Sequence, residues 1–196
     1  LETVEETLEI DAQKFCTLIY GTAGSGKTTL GQRIQKVLCK IAEKEGKCVV
    51  VTSYQRTCVT NWIGKAVEKG IDSKMNWNWD HFYGNVLNED TGTIKRVQGC
   101  KVLPGLIHSI IIDEFFQMPE RCLHDICELL ELNPDIIVIP IGDYNQMASI
   151  ENPKYNWLNC DILKNIVKNK LYKNYILSCG RFSKQVLDLL RLLEKG

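Results

Sequence analysis

The stretch GTAGSGKTT, Gly21 to Thr29, sets a lysine and two threonines directly behind a glycine-rich turn. It satisfies the pattern G-x-x-x-x-G-K-[ST] through Gly21, Thr22, Ala23, Gly24, Ser25, Gly26, Lys27 and Thr28, and Thr29 follows in the same turn. Glycines at these positions let backbone N–H groups curl around phosphate oxygens, and a helix starting behind them adds the positive end of its dipole. Lys27 then has the reach to meet β- and γ-phosphates, and the Thr28 hydroxyl is a ligand for Mg²⁺. The competing reading is a strand-to-helix turn that binds nothing, but every fixed position of the pattern is filled.

A second chemical signal is SIIIDEFFQMPE, in which three isoleucines deliver Asp113 and Glu114. An aspartate at the end of a strand beside the phosphate loop can hold Mg²⁺ through water, and the next carboxylate can polarise a water facing the γ-phosphate. Alone, such a pair is as often a solvated or helix-capping feature. A third signal lies in NWNWDHFY, where Trp77, Trp79, His81, Phe82 and Tyr83 alternate with Asn and Asp. Exposed rings of this kind stack on unpaired bases at about 1–3 kcal/mol each. The competing role for them is core packing. Trp62 is read as core.

These residues need rigid elements to hold them. FCTLIYG leads into the helical pattern KTTLGQRIQKVLCKIAEKEG, KCVVVTS into QRTCVTNWIGKAVEKG, and LIHSIIIDE into PERCLHDICELLEL; DIIVIPIGD follows, and NYILS leads into RFSKQVLDLLRLLEKG. Unbroken β-branched runs alternating with helices predict an α/β fold, a mostly parallel sheet with helices on both faces. Residues 75–105 break the rhythm and read as an inserted loop or hairpin.

Composition narrows the classes. A chain of 196 residues with 24 Lys+Arg against 24 Asp+Glu has no global field to attract a polyanion, so any such binding comes from a local surface. The acidic start, LETVEETLEIDAQ, lacks the features of a signal peptide, and an intracellular location, cytoplasm or nucleus, is expected. Nine cysteines occur without a C-x-x-C pair, so a zinc site has no ligand ladder and reduced thiols are expected.

With these motifs in hand, two families compete. DEFFQ resembles the Asp-Glu motif of small thymidine kinases, but the paired cysteines of their zinc lasso are missing. The superfamily 1 helicases match further: IPIGDYNQMASIE resembles their third motif, Gly-Asp-x-x-Gln, at Gly142, Asp143 and Gln146, and YILSCGRFSKQVLDLL resembles their fourth, with an arginine opening a helix at Arg181. From about Phe15 to its last residue the chain is similar to the N-terminal RecA-like motor domain of that family, and 1–196 is read as one such domain. VVVTSYQRTCVTNWIGKA and MASIEN look most similar to viral replicative helicases.

The resemblance implies that Lys27, Glu114, Gln146 and Arg181 are catalytic, with Gln146 touching the γ-phosphate and Arg181 acting as an arginine finger. It implies ATP and Mg²⁺ as cofactors, with Thr28 and Asp113 on the metal. It places Gln55 and Arg56 at a nucleic-acid motif after the second strand, with Trp77, Trp79, His81 and Phe82 at the next. It implies single-stranded nucleic acid as partner, DNA favoured over RNA, a second RecA-like domain that these residues lack, and other replication proteins. It also implies that the strand carrying the third motif lies between the strands carrying the other two. A nucleoside kinase, or an ATP-binding interaction module without useful turnover, stays open as the alternative.

Overall fold

The computed structural model describes residues 17–21, 23–71, 75–96 and 98–143, with the backbone of 169–172. Strand β1 (Thr17–Tyr20) leads into helix α1 (Lys27–Lys44), then β2 (Cys48–Ser53), α2 (Arg56–Glu68), β3 (Asn76–Asn78) and the short α3 (Trp79–Tyr83). A hairpin of β4 (Asn85–Asn88) and β5 (Thr93–Arg96) precedes β6 (Ile107–Asp113), α4 (Glu120–Leu132), β7 (Ile137–Gly142) and β8 (Asn169–Tyr172). Six strands form one sheet in the order β3-β2-β6-β7-β1-β8, and all its pairings are parallel. This is the predicted fold class, with β7 between β1 and β6 as the resemblance implies. Strand β8 was not foreseen; the pattern read as a strand at 174–178 and the helix behind it lie outside the described residues.

The β-branched runs are explained by burial on both faces of the sheet. One face packs Ile19, Val49, Val51, Ile111 and Ile139 against Leu30, Ile34 and Leu38 of α1 and Trp62 and Ala66 of α2. The other packs Leu18, Val50, Ile110, Ile112 and Val138 against α3 and α4. Among the described residues, no helix is long and apolar enough to cross a membrane.

Pro140 sits in β7, a central strand where a residue without an N–H is unexpected. The register accounts for it. Pairing with β6 runs from Ser109↔Ile137 to Ile112↔Pro140 and stops there, whereas pairing with β1 begins at Ile19↔Ile141. Gly142 faces β1, where its carbonyl accepts from Gly21, so Pro140 two residues earlier faces β1 as well, and its missing N–H takes no bond from the β6–β7 pairing.

Helices α1 and α2 meet at a close contact. Gly31 has no room for a side chain, because a Cβ there would lie 2.5 Å from Cη2 of Trp62 and also run into Cδ1 of Ile141. Trp62, only 1% exposed, is held by polar bonds as well. Its Nε1–H donates to Gln35 Oε1 at 2.8 Å, and its carbonyl accepts from Gln32 Nε2 at 3.3 Å. Gln32 Oε1 in turn accepts from Lys69 Nζ at 2.5 Å.

Alanine is the better helix former by about 1 kcal/mol, yet overpacking of this kind costs about 1–3 kcal/mol. Gly31→Ala should therefore lower the thermal midpoint, as read by circular dichroism. An unchanged or higher midpoint would show that the Trp62 contact yields freely.

Candidate active site

The loop between β1 and α1 has the shape its glycines suggest. Gly24 and Gly26 adopt φ 77° and 84°, in the left-handed region, and Gly26 caps α1. No side chain bonds to the helix's free N–H groups and no acidic residue stands in its first turn. Those donors are left for an anion. Ser25, only 2% exposed, has its Oγ without a hydrogen-bond partner among the described residues, as expected of a group awaiting a ligand. Lys27 Nζ donates to the Gly21 carbonyl at 2.7 Å, folding the lysine across the loop. These features fit a polyphosphate.

Asp113 ends β6 and Glu114 follows it at φ 50°, ψ 43°. Glu114 is the one non-glycine residue with positive φ among those described, and such strain collects at functional sites. Burial pushes the Asp113 carboxyl up to about 7, the adjacent Glu114 adds to the rise, and Lys27 and Lys65 oppose it. Burial also raises Glu114, against the pull of Lys27 and with the repulsion of Asp143. Two carboxyls in one low-dielectric crevice facing a lysine make a cation site and a proton acceptor.

The third element is Gly142, at the end of β7. A Cβ there would lie 2.7 Å from Cδ2 of Phe116, whose ring covers the glycine, and 3.4 Å from the Phe115 backbone nitrogen. The Gly142 carbonyl accepts the Gly21 N–H at 3.2 Å. The phosphate loop and the turn carrying Glu114 therefore meet at one residue, with buried Asp143 directly behind it.

The structure brings together Gly21, Lys27, Asp113, Glu114, Gly142 and Asp143. Ala23, Gly24, Ser25 and Gly26 form the loop, and Thr28 and Thr29 the first turn of α1. Thr22, Gln146 and Arg181 lie outside the described residues. Two polar groups escaped the sequence reading. Ser53 stands buried opposite Asp113 in the β2–β6 register, and Gln117 Oε1 is buried without a hydrogen-bond partner among the described residues. The signal for Ser53 was the polar pair ending VVVTS; for Gln117 it was a spacing of three from Glu114.

The candidate nucleic-acid contacts divide. Gln55, Arg56 and His81 are exposed. Trp79 and Phe82 are both 0% exposed, so their assignment as base-stacking rings is corrected: they are core. The physical reason is the seat that α4 provides. Trp79 Nε1–H donates to Asp125 at 2.9 Å, Tyr83 Oη–H to Glu128 at 2.6 Å, and Arg121 clamps Asp80 through bonds of 2.6 and 3.0 Å. Trp77 is half-buried and stacks on Phe82, with 6.3 Å between ring centroids.

A parallel sheet with a phosphate loop after β1, a carboxylate pair after β6 and a strand between them defines a RecA-like P-loop domain. Residues 2–156 match the family described as AAA domain, and the chain belongs to that family. No curated protein matches it in sequence. Among solved structures it is similar to Pif1 helicase from Candida albicans, with a TM-score of 0.63 and 17% identity over 96% of this chain and 42% of that one. Bacteroides Pif1 bound to ssDNA gives 0.56 and 17% over 98% and 45%. Bacteroides sp Pif1 in complex with ADP-AlF4 gives 0.54 and 17% over 99% and 45%. The chain thus spans less than half the length of these relatives.

The raised Asp113 pKa carries a sign. A carboxyl that titrates higher in the folded protein than in the unfolded chain favours folding fully below about pH 4, and that contribution is lost as pH rises to about 7. Asp113→Asn should therefore raise the thermal midpoint of the ligand-free protein by several degrees at pH 8 and by progressively less toward pH 4. A difference independent of pH would show that Asp113 is not buried as a charge.

Proposed function

We propose that the chain is the N-terminal ATP-binding domain of a helicase or translocase that uses ATP hydrolysis to move on single-stranded nucleic acid, DNA in preference to RNA. The observation that carries this reading is the meeting of Gly21, the Glu114 turn and Gly142 at one crevice, in the strand order of the superfamily 1 motors. Bacteroides Pif1, solved with ssDNA and with ADP-AlF4, supports the same reading.

In this mechanism the loop amides, Ser25 and Lys27 grip the triphosphate, and Glu114 accepts the proton of the attacking water. Thr28 and Asp113 would hold Mg²⁺, which supplies charge neutralisation on the phosphates. Gln146 responds to the γ-phosphate and Arg181 stabilises the charge that develops on it. Gln55, Arg56 and His81 meet the nucleic acid at the same edge of the sheet. A second RecA-like domain closes on the nucleotide, and the greater length of the solved relatives supports its presence in the working protein. Motor action needs two bodies that open and close, so this domain alone hydrolyses ATP slowly. The similarity of VVVTSYQRTCVTNWIGKA and MASIEN to viral replicative helicases supports a replication role beside other replication proteins, in the cytoplasm or nucleus of an infected cell.

Phosphate release measured with and without oligothymidylate tests this. Single strands should stimulate turnover, Glu114→Gln should lower it by about 10²–10⁴-fold while retaining ATP affinity, and Lys27→Ala should lose both. Phosphate transfer to thymidine, or ATP binding with no turnover under any condition, would overturn the motor assignment.

A further inference from the structure

The outer face of α1 carries charge that the nucleotide chemistry does not use. Arg33, Lys36, Lys40 and Lys44 are all exposed and fall three or four residues apart, in one line along the helix. Lys69, directly behind α2, adds a fifth charge, because its bond to Gln32 of α1 holds it one turn from Lys36. Among the described residues, none of the four α1 side chains has an ion pair or hydrogen bond, and Glu43 is the only acidic residue of the helix. The cation–carboxylate ion pairs that join separate elements, Arg96–Glu128 and Arg121–Asp80, both lie on the other face of the sheet.

Lys44 in the last turn is favoured by the helix dipole. Arg33, Lys36 and Lys40 in the middle gain nothing from it and repel one another at this spacing. The chain as a whole is neutral, so the line is a local concentration of charge.

From this we infer that the outer face of α1 binds the backbone of duplex DNA, independently of base sequence and separately from the single-strand contact of the proposed motor. The ridge from Arg33 to Lys44 is about 16 Å long at 1.5 Å per residue. Over such a length a duplex presents about one phosphate charge per 1.7 Å. No aromatic residue lies on this face to stack unpaired bases, which favours a duplex over a single strand. Nor does it expose the large apolar side chains by which an amphipathic helix enters a membrane. Lysines without an aromatic anchor suit phosphate contacts better than a protein interface core. In the fold, α1 runs from the nucleotide edge toward the opposite edge of the sheet, so a duplex lying on it would pass down the flank of the domain.

The test is fluorescence anisotropy with a labelled blunt-ended duplex, in excess oligothymidylate to fill any single-strand site, across about 50–200 mM salt. The chain should bind the duplex. The R33Q/K36Q/K40Q variant should bind it more than tenfold more weakly at low salt, with the slope of log affinity against log salt reduced by about 2–3. Its ATP affinity and thermal midpoint should not fall. Equal binding by both proteins would overturn the inference. So would no duplex binding by the parent, or a loss confined to phosphatidylserine vesicles. Each of these results leaves strand-stimulated ATP turnover to be judged by its own assay.

Discussion

The site depends on the absence of a side chain at Gly142. Phe116 lies where its Cβ would be, and its carbonyl takes the first N–H of the phosphate loop. Three segments far apart in the chain, at residues 21, 114–116 and 142, are thereby fixed against one backbone atom group. The strained Glu114 is tolerable because the turn behind it is anchored: Phe115 and Phe116 are 0% and 3% exposed, and Gln117 and Met118 close backbone bonds on Glu114 and Phe115. Packing in the core thus holds the carboxylate pair at the phosphate loop, while the carboxylates themselves, raised by burial, oppose folding until a cation or proton arrives.

The two faces of the sheet are secured differently. On the α1 side, a single large ring, Trp62, fills the space above Gly31 and is satisfied by two buried glutamines. A buried polar network with all its partners rigidifies what it joins. It joins the helix behind the phosphate loop to the helix that begins at Arg56, so the two ends of the candidate machinery share one body. On the α4 side, the aromatic segment is fastened by a row of polar groups, Arg121, Asp125 and Glu128, at spacings of four and three along the helix.

Much of this was legible in the residues and some was not. The phosphate loop and the parallel sheet could be read because their signals are local: glycine spacing in one, unbroken β-branched runs in the other. The assignment of Trp79 and Phe82 failed for a nonlocal reason. Aromatics alternating with polar residues look the same whether the rings meet bases or a helix forty residues on, and only the third dimension shows that Asp125 and Glu128 take their polar atoms. Ser53 escaped notice because its importance comes from standing opposite Asp113, a relation set by strand register. The clamp at Gly142 was invisible for the same reason, since a glycine before an aspartate is also ordinary turn chemistry.

Pro140 has a consequence for how the sheet closes around the loop. Successive residues of a strand turn their backbone groups to alternate neighbours, and Gly142, whose carbonyl accepts from Gly21, faces β1. Pro140, two residues earlier, faces the same way. A residue with no amide hydrogen there withholds a donor from β1 and leaves the bonds between β6 and β7 untouched. The pairing of β7 with β1 accordingly begins only at Ile141, so the strand that feeds the phosphate loop is stitched to β7 over its last two residues, next to the loop itself.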